Sequence, residues 1–317
     1  MVYTIIGHQN IISQLKKAVK AERVAGAYLF TGVQGVGKET VACYFANLIL
    51  CQGTDDALKP CGECNACRKI QNGNHPDLHF IRPDGAQIKI DQIRDMQQQI
   101  FFQPLEGPRK IYILTNTERL NDAAANAILK TLEEPPAAST LILLTENIET
   151  IILTIRSRCQ IIPLYPMHTK QLATELAKHF SVDEETASSA AILSNGIVGK
   201  AISLIEDGIS ADQKIPDILS ETDPMAAFRI AEQLEKNLES LDELITWYRD
   251  LLFLQQDAPI ELLTHPNTID DLKELVKRYS RLRIERAIKN VLETKSLIQN
   301  TFVTKITALE VMCLKLI

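Results

Sequence analysis

The sequence predicts an α/β fold with a parallel sheet in its first half, followed by helices alone. Short apolar runs alternate with helix-like stretches as far as about residue 165, and such alternation is typical of a parallel α/β sheet. Beyond Tyr165-Pro166 no strand pattern remains. A chain of 317 residues is also long enough for two or three domains with a sizeable core.

Each predicted strand is short and mostly apolar, as expected for strands buried on both faces. The five runs are Ala27–Thr31, Leu78–Ile81, Ile111–Leu114, Leu141–Leu144 and Cys159–Ile162. The helices predicted between them are Val41–Leu50, Ile88–Ile100 and Asp122–Glu134. Pro135 and Pro136 end the last of these helices, because proline cannot donate an intrahelical hydrogen bond.

The second half is predicted to contain two helical parts. Short helices extend from His168 to about Glu206, Asp207–Pro216 has the composition of a linker, and long amphipathic helices follow from Pro224. An apolar stripe, interrupted by Lys295, recurs at spacings of three, four or seven residues: Ile284, Ile288, Val291, Ile298, Phe302, Ile306, Leu309 and Cys313. We therefore expect an α/β domain over residues 1–165, a small helical domain over 166–207 and a helical domain over 208–317.

Charge and the first residues restrict the class of protein. With 34 basic and 40 acidic residues the formal charge is −6, which argues against binding of nucleic acid by bulk charge. The first ten residues do not have the pattern of a signal peptide, and no run approaches the roughly 20 apolar residues that span a bilayer. We expect a cytoplasmic protein with reduced thiols and no membrane partner.

A phosphate-binding loop is predicted at Gly32-Val33-Gln34-Gly35-Val36-Gly37-Lys38, between the first strand and a helix. Gly32, Gly35 and Gly37 would let backbone N–H groups approach phosphate oxygens at a helix N-terminus, and Lys38 would reach the outer phosphates. The candidate nucleotide-binding residues are therefore these three glycines and Lys38.

Two catalytic elements that normally accompany this loop are missing. Glu39 replaces the Ser or Thr that holds Mg²⁺, and we expect its carboxylate to face and repel the phosphates. The third strand ends in Thr115-Asn116 instead of the Asp-Glu pair that orients Mg²⁺ and water. The sequence predicts no useful ATP hydrolysis by this chain alone. It leaves open whether the loop retains weak nucleotide binding or is only a folding element, so ATP binding is doubtful.

Four cysteines, Cys51, Cys61, Cys64 and Cys67, have a spacing that favours a structural metal site. Four thiolates suit tetrahedral Zn²⁺, although an iron–sulfur cluster or four free thiols would also have this pattern. By contrast, Cys43 and Cys313 lie in apolar helical patterns and are predicted to be buried. His75 and His79 lack metal spacing and are interpreted as structural.

An arginine precedes the last predicted strand in Ser157-Arg158-Cys159. An arginine at the edge of a sheet could reach a nucleotide held by a neighbouring subunit, as arginine fingers do. It could equally form a surface salt bridge of little energetic value.

Together these residues resemble the AAA+ clamp-loader subunits of bacterial DNA polymerase III. The resemblance covers about the first 205 residues well and the rest more loosely. It is carried by the phosphate loop, the four cysteines and Ser157-Arg158-Cys159, together with Ile6-Gly7-His8, Ala27–Phe30, Gly73–Asp77 and Ala124–Pro136.

The resemblance implies more than the residues establish by themselves. It implies an AAA+ domain with a helical lid and a C-terminal collar, a zinc site at the four cysteines, and an Arg158 that acts on ATP of a neighbouring subunit. The implied partners are ATPase motor subunits, a clamp-opening subunit and, through the complex, the sliding clamp and primed DNA. Lys200 lies where the motors of that family carry a nucleotide-sensing arginine.

Departures from the family pattern at Glu39, Thr115 and Asn116 favour a non-hydrolysing stator subunit. One alternative is a working ATPase in which another carboxylate, such as Glu133, replaces the missing base. Another is a zinc-dependent DNA-binding module, with Lys16, Lys17, Lys20 and Arg23 as its small basic cluster, although the acidic balance of the chain disfavours it.

Overall fold

The computed structural model describes residues 5–55, 59–206, 217–221, 223–236, 238, 240–259, 262–265, 268–300 and 303–317. The chain forms two compact units, Met1–Asp207 and Gly208–Ile317. The predicted linker Asp207–Pro216 lies outside the described residues. The further division of the first unit near residue 165 stays a prediction.

A five-stranded parallel sheet forms the centre of the first unit, which confirms the predicted fold class. Its strands are β1 (Ala27–Thr31), β2 (Leu78–Ile81), β3 (Lys110–Leu114), β4 (Ser139–Thr145) and β5 (Gln160–Pro163). The strand order is β2-β3-β4-β1-β5, and every pairing is parallel. The first strand is therefore an inner strand between β4 and β5, and its carboxyl end leads into the phosphate loop.

Helices cover both faces of this sheet. The helices of the first unit are α1 (Gln9–Lys20), α2 (Lys38–Leu50), α3 (Asn65–Gln71), α4 (Ile90–Ile100), α5 (Asp122–Glu133), α6 (Leu153–Arg156), α7 (Thr169–Phe180), α8 (Glu184–Leu193) and α9 (Val198–Glu206). Successive strand residues point to opposite faces. Tyr28 and Phe30 accordingly join one apolar cluster with Phe45 of α2, while Leu29 joins the other with Tyr112.

A buried carboxylate fastens the segment between α4 and β3. Asp77 is fully buried, and its two oxygens accept hydrogen bonds from the backbone N–H groups of Leu105 (2.7 Å), Glu106 (2.8 Å) and Gly107 (2.7 Å). Burial alone raises the pKa of this carboxyl, but the three donors outweigh it and hold the pKa below its usual range. His75 belongs to the same structural network, because its Nδ1 accepts the N–H of Asp77 at 3.1 Å.

The second unit is helical. It contains α10 (Asp217–Ser220), α11 (Ala226–Lys236), α12 (Ser240–Gln255), α13 (Ile269–Val276), α14 (Arg281–Asn300) and α15 (Lys305–Leu316) around the fully buried Trp247. Within the described residues, no helix is long and apolar enough to span a membrane.

The predicted apolar stripe belongs to two of these helices, α14 and α15, and packs within the second unit. Ile284, Val291, Leu309 and Cys313 are core residues, and Ile288, Ile298 and Ile306 pack against them. Phe302 lies outside the described residues. Lys295 interrupts the stripe because its Nζ donates to Asp242 Oδ1 of α12 at 2.5 Å. Cys43 and Cys313 are buried, as predicted.

Candidate functional site

The phosphate loop connects the end of β1 directly to the first residue of α2. Gly37 precedes α2 with a φ of 104°, in the left-handed region that favours glycine. Gly32 needs its lack of a side chain for a different reason, because a Cβ there would lie 2.3 Å from the carbonyl oxygen of Leu164. The loop therefore has the backbone form that its sequence predicts.

Lys38 is bound by the carbonyl groups of its own loop. Its Nζ donates to the carbonyl oxygens of Gly32 at 2.6 Å and Val33 at 3.0 Å. Burial lowers the pKa of Lys38, while the carboxylates of Glu146 and Glu118 partly oppose that effect. The ammonium group would have to leave these carbonyls before it could contact a phosphate.

Glu39 is paired with Arg82, a residue that follows β2. Arg82 Nη2 donates to Glu39 Oε1 at 2.6 Å, and Arg82 Nη1 donates to Oε2 at 3.2 Å, which makes a bidentate pair. Glu39 lines the cavity beside the loop, and the guanidinium of Arg82 offsets the charge that was expected to repel phosphates. Whether Glu39 faces a bound phosphate stays a prediction. What Glu39 still lacks is the hydroxyl that would hold Mg²⁺.

A cavity of about 360 Å³ opens beside the loop. Its lining includes Gly35, Gly37, Lys38, Thr115 and Asn116, with Ile5, Ile6, His8, Val198, Gly199 and Ile202 on other sides. Helix α9 approaches the loop closely, since the N–H of Gly199 donates to the carbonyl oxygen of Gly35 at 2.8 Å. A carboxyl-end crevice of this kind is where open α/β sheets bind ligands.

Lys200 and Glu146 differ in their relation to this cavity. Lys200 lies on α9, but it is not among the described residues that line the cavity, so its contact with phosphate stays a prediction. Glu146, directly after β4, does line the cavity and was not singled out from the sequence. Its position after a predicted strand next to β1 is the signal that could have indicated it.

The carboxyl end of β3 provides no acidic side chain at the cavity. The N–H of Thr115 donates to the carbonyl oxygen of Ile81 at 3.0 Å, and Asn116 follows with a φ of 51°. Both side chains are neutral, so neither can act as a base or supply negative charge to a metal ion.

The four predicted cysteines lie together next to α3. Their Sγ atoms all lie within 4.8 Å of one another, with separations of 3.6 Å for Cys51 and Cys61, 4.0 Å for Cys51 and Cys64, and 3.9 Å for Cys61 and Cys67. Four thiolates at about 2.3 Å from a tetrahedral ion would lie about 3.8 Å apart, so the spacing suits such an ion.

Backbone N–H groups surround these sulfur atoms. Cys51 Sγ accepts from Gly53 and Cys61, Cys61 Sγ from Cys64, and Cys64 Sγ from Cys67, each at 3.4 Å. Burial by itself raises the pKa of the Cys64 thiol, but donors such as the N–H groups of Cys67 and Gln52 outweigh it and bring the pKa to about 6. Burial raises the pKa of the Cys51 and Cys67 thiols, so a metal ion would have to displace their protons. By the placement of its four sulfur atoms the cluster is a site that can hold a metal ion.

Arg158 lies between α6 and β5 and forms a salt bridge within the chain. Its Nη2 donates to Glu133 Oε1 at 2.6 Å, and its Nη1 donates to the carbonyl oxygen of Thr154 at 2.9 Å. One third of the Arg158 side chain is exposed. Glu133 is not among the described residues that line the cavity, and its pairing with Arg158 disfavours the idea that it replaces the missing base.

The sheet order, the loop at the end of the inner strand β1 and the helical segment packed on that loop define a P-loop protein of the AAA+ type. A sequence model of the family described as "DNA polymerase III, delta subunit" matches residues 7–168. DNA polymerase III subunit delta′ of Bacillus subtilis (strain 168) is 31% identical over 302 residues, covering 90% of this chain and 89% of that protein. The chain belongs to the DNA polymerase III delta-prime family.

Other relatives are matched over shorter parts of their length. Subunit delta′ of Escherichia coli (strain K12) is 31% identical over 61% of this chain and 58% of that protein. Subunit tau of Bacillus subtilis (strain 168) is 32% identical over 80% of this chain, which spans only 47% of tau. Among solved structures, a gamma subunit-related protein from Thermotoga maritima aligns over 95% of this chain and 97% of its own, with 18% identity and a TM-score of 0.45.

Proposed function

We propose that this chain is a non-hydrolysing clamp-loader subunit that supplies Arg158 to ATP bound by a neighbouring motor subunit. The observation that supports the proposal is that the same chain has a nucleotide site without catalytic carboxylates at the end of β3 and an arginine that is accessible to a neighbour. The cavity has Thr115 and Asn116 where a base and a metal-orienting carboxylate belong, while the Arg158 guanidinium is partly exposed.

The geometry around the loop supports the absence of hydrolysis. Glu39 offers no hydroxyl for Mg²⁺ and is committed to Arg82, and Lys38 is held by two carbonyl groups. In phosphoryl transfer the protein contributes chiefly a placed metal ion, a placed water and charge stabilisation. Here Thr115 and Asn116, at the end of β3, have no carboxylate with which to make the first two contributions.

Arg158 can make the third contribution to a neighbour. Its guanidinium is always charged and can bind phosphate through two N–H groups at once. An arginine finger supplied in trans increases hydrolysis by about 10³-fold to 10⁵-fold. The partners in this proposal are the ATPase motor subunits and the clamp-opening subunit. Through that complex the chain would act on the sliding clamp and primed DNA, and its helices over residues 208–317 would form part of the collar.

We also assign Zn²⁺ to the cluster of Cys51, Cys61, Cys64 and Cys67, with a structural role. Four thiolates and no open position are typical of structural zinc. Metal analysis of protein purified without chelator should give about one equivalent of zinc and no visible charge-transfer absorption. An iron-containing, coloured protein would contradict this assignment.

The second candidate is an active motor subunit, which the identity with tau supports. The two candidates differ in what the isolated chain does with ATP and Mg²⁺. We expect no Mg²⁺-dependent turnover from the isolated chain, whereas a motor would show turnover that Lys38→Ala abolishes. Turnover that persists in Lys38→Ala would come from a contaminating ATPase.

Steady-state hydrolysis by the assembled complex tests the trans role. The complex built with Arg158→Ala should hydrolyse ATP more slowly than the wild-type complex, while Arg156→Ala serves as the matched control two residues earlier. Both variants should assemble and melt as the wild type does. A wild-type rate with Arg158→Ala would remove the main support for the proposal.

A further inference from the structure

We infer that Glu133 is a latch that holds Arg158 in a parked position and thereby limits its delivery to the phosphates of a neighbouring subunit. This inference rests on the proposed function of Arg158. It assigns Glu133 a regulatory role through Arg158, with no contact of its own to the nucleotide.

Both terminal nitrogens of Arg158 are occupied by acceptors of the same chain. Nη2 donates to Glu133 Oε1 at 2.6 Å, while Nη1 donates to Thr154 O at 2.9 Å and Ser157 Oγ at 3.3 Å. An arginine that binds phosphate bidentately uses two of its N–H groups in a fixed fork. To present both Nη atoms to a phosphate, the guanidinium has to give up the Glu133 carboxylate.

The two ends of the latch are built on fixed elements. Glu133 is the last residue of α5 and follows the buried Leu132. Two residues later, Pro135 packs on Gly26 so closely that a Cβ added to Gly26 would lie 2.4 Å from the Cγ of Pro135. On the other side, the N–H of Arg158 donates to the carbonyl oxygen of the buried Ile155 at 3.1 Å. The backbones therefore hold the pair in reach, and only the side chains need to move for release.

The exposure of the pair makes the latch weak enough to open. Half of the Glu133 side chain and one third of the Arg158 side chain are accessible. Exposed ion pairs of this kind are modest in strength, whereas the phosphates of a nucleotide carry more charge and can accept from two N–H groups of the guanidinium at once. A nucleotide placed correctly by a neighbour would displace the carboxylate, while a misplaced one would leave Arg158 on Glu133. The latch would thus lower hydrolysis before the complex is correctly arranged.

Glu133→Gln tests this inference, because it removes the charge and keeps the shape. In the assembled complex without clamp or DNA, we expect ATP hydrolysis at the neighbouring site to rise by about twofold to fivefold, the range open to an exposed pair. With clamp and primed DNA present the rate should change little, so the stimulation ratio falls. A merely structural defect would instead lower both rates.

The matched control is Glu149→Gln, which neutralises the other exposed carboxylate paired with this segment, 3.2 Å from Arg156. It should leave both rates at wild-type values. A basal rate with Glu133→Gln that stays equal to or falls below wild type, while Arg158→Ala lowers hydrolysis, would overturn the latch alone. If Arg158→Ala leaves hydrolysis unchanged, the proposed function fails and the latch fails with it.

Discussion

Replacing Asp77 with Asn should loosen the segment that joins α4 to β3. One carboxylate oxygen accepts the N–H of Leu105 and the other accepts the N–H groups of Glu106 and Gly107. Asn has only one acceptor oxygen, so at least one of these bonds is lost and an amide donor faces a backbone donor. With about 1.5–3 kcal/mol for a hydrogen bond to a charged group, we expect destabilisation of about 2–4 kcal/mol.

Amide hydrogen exchange measures this effect at the three donors themselves. A loss of about 2–4 kcal/mol corresponds to exchange that is faster by at least about 30-fold, at roughly 1.4 kcal/mol for each factor of ten. Asp84→Asn is the matched control, because this exposed carboxylate is paired only with Lys89 at the surface. Unchanged exchange of Leu105, Glu106 and Gly107 in Asp77→Asn would refute the reasoning.

The stability difference between the wild type and Asp77→Asn should depend on pH in one direction. The pKa of Asp77 is lowered in the folded protein, so its contribution is fully present above the unfolded-state pKa near 4 and is lost as the pH falls through the folded-state value. The stability difference between the wild type and Asp77→Asn should therefore be constant above about pH 5 and shrink below about pH 4. A difference that grows in acid would contradict this assignment.

The remaining predictions concern the contact of α9 with the loop, the four-cysteine cluster and the pair of Arg82 with Glu39. Gly199→Ala should push α9 away from the loop, since its Cβ would lie 2.9 Å from the carbonyl oxygen of Gly35, and limited proteolysis should then cut the α9 region faster than in the wild type. Removing metal with a chelator should speed amide exchange at Cys61–Cys67, and equal exchange with and without chelator would mean that the cluster holds its shape unaided. Arg82→Ala should leave Glu39 unpaired, so that any residual ATP binding, measured by titration calorimetry, becomes weaker; tighter binding would mean that Arg82 does not neutralise Glu39.

Much of the fold could be predicted because local pattern determines it. The inner strands β1, β3 and β4 are buried on both faces, so their apolar runs predicted them to within two residues at either end. The edge strands β2 and β5 were also placed to within one residue, although they are partly exposed at Phe80 and Ile161. Helix α3 was not predicted, because its seven residues are too few for a periodic pattern and the N–H of Cys67 in its first turn is capped by the sulfur of Cys64 instead of a usual capping side chain.

The candidate site was predicted less evenly, because its decisive contacts join residues that are far apart in sequence. The cysteine spacing was sufficient to predict that the four thiols lie together. The sequence did not indicate Arg82 as the partner of Glu39, because it lies 43 residues away, and the partner of Arg158 lies 25 residues away. A local sequence pattern does not predict which oppositely charged side chain a residue will contact. The pairs Glu39–Arg82 and Glu133–Arg158 form only in the folded chain.

Single-turnover ATP hydrolysis by the assembled complex tests the central claim most directly. Each complex is loaded with ATP and Mg²⁺, and the hydrolysed ATP is counted through the first turnover with either the wild-type chain or Arg158→Ala. The account predicts that Arg158→Ala lowers the fast amplitude by one ATP per complex, because the neighbouring site loses an effect of about 10³-fold or more. A full amplitude at the wild-type rate would contradict the claim that this chain completes its neighbour's active site.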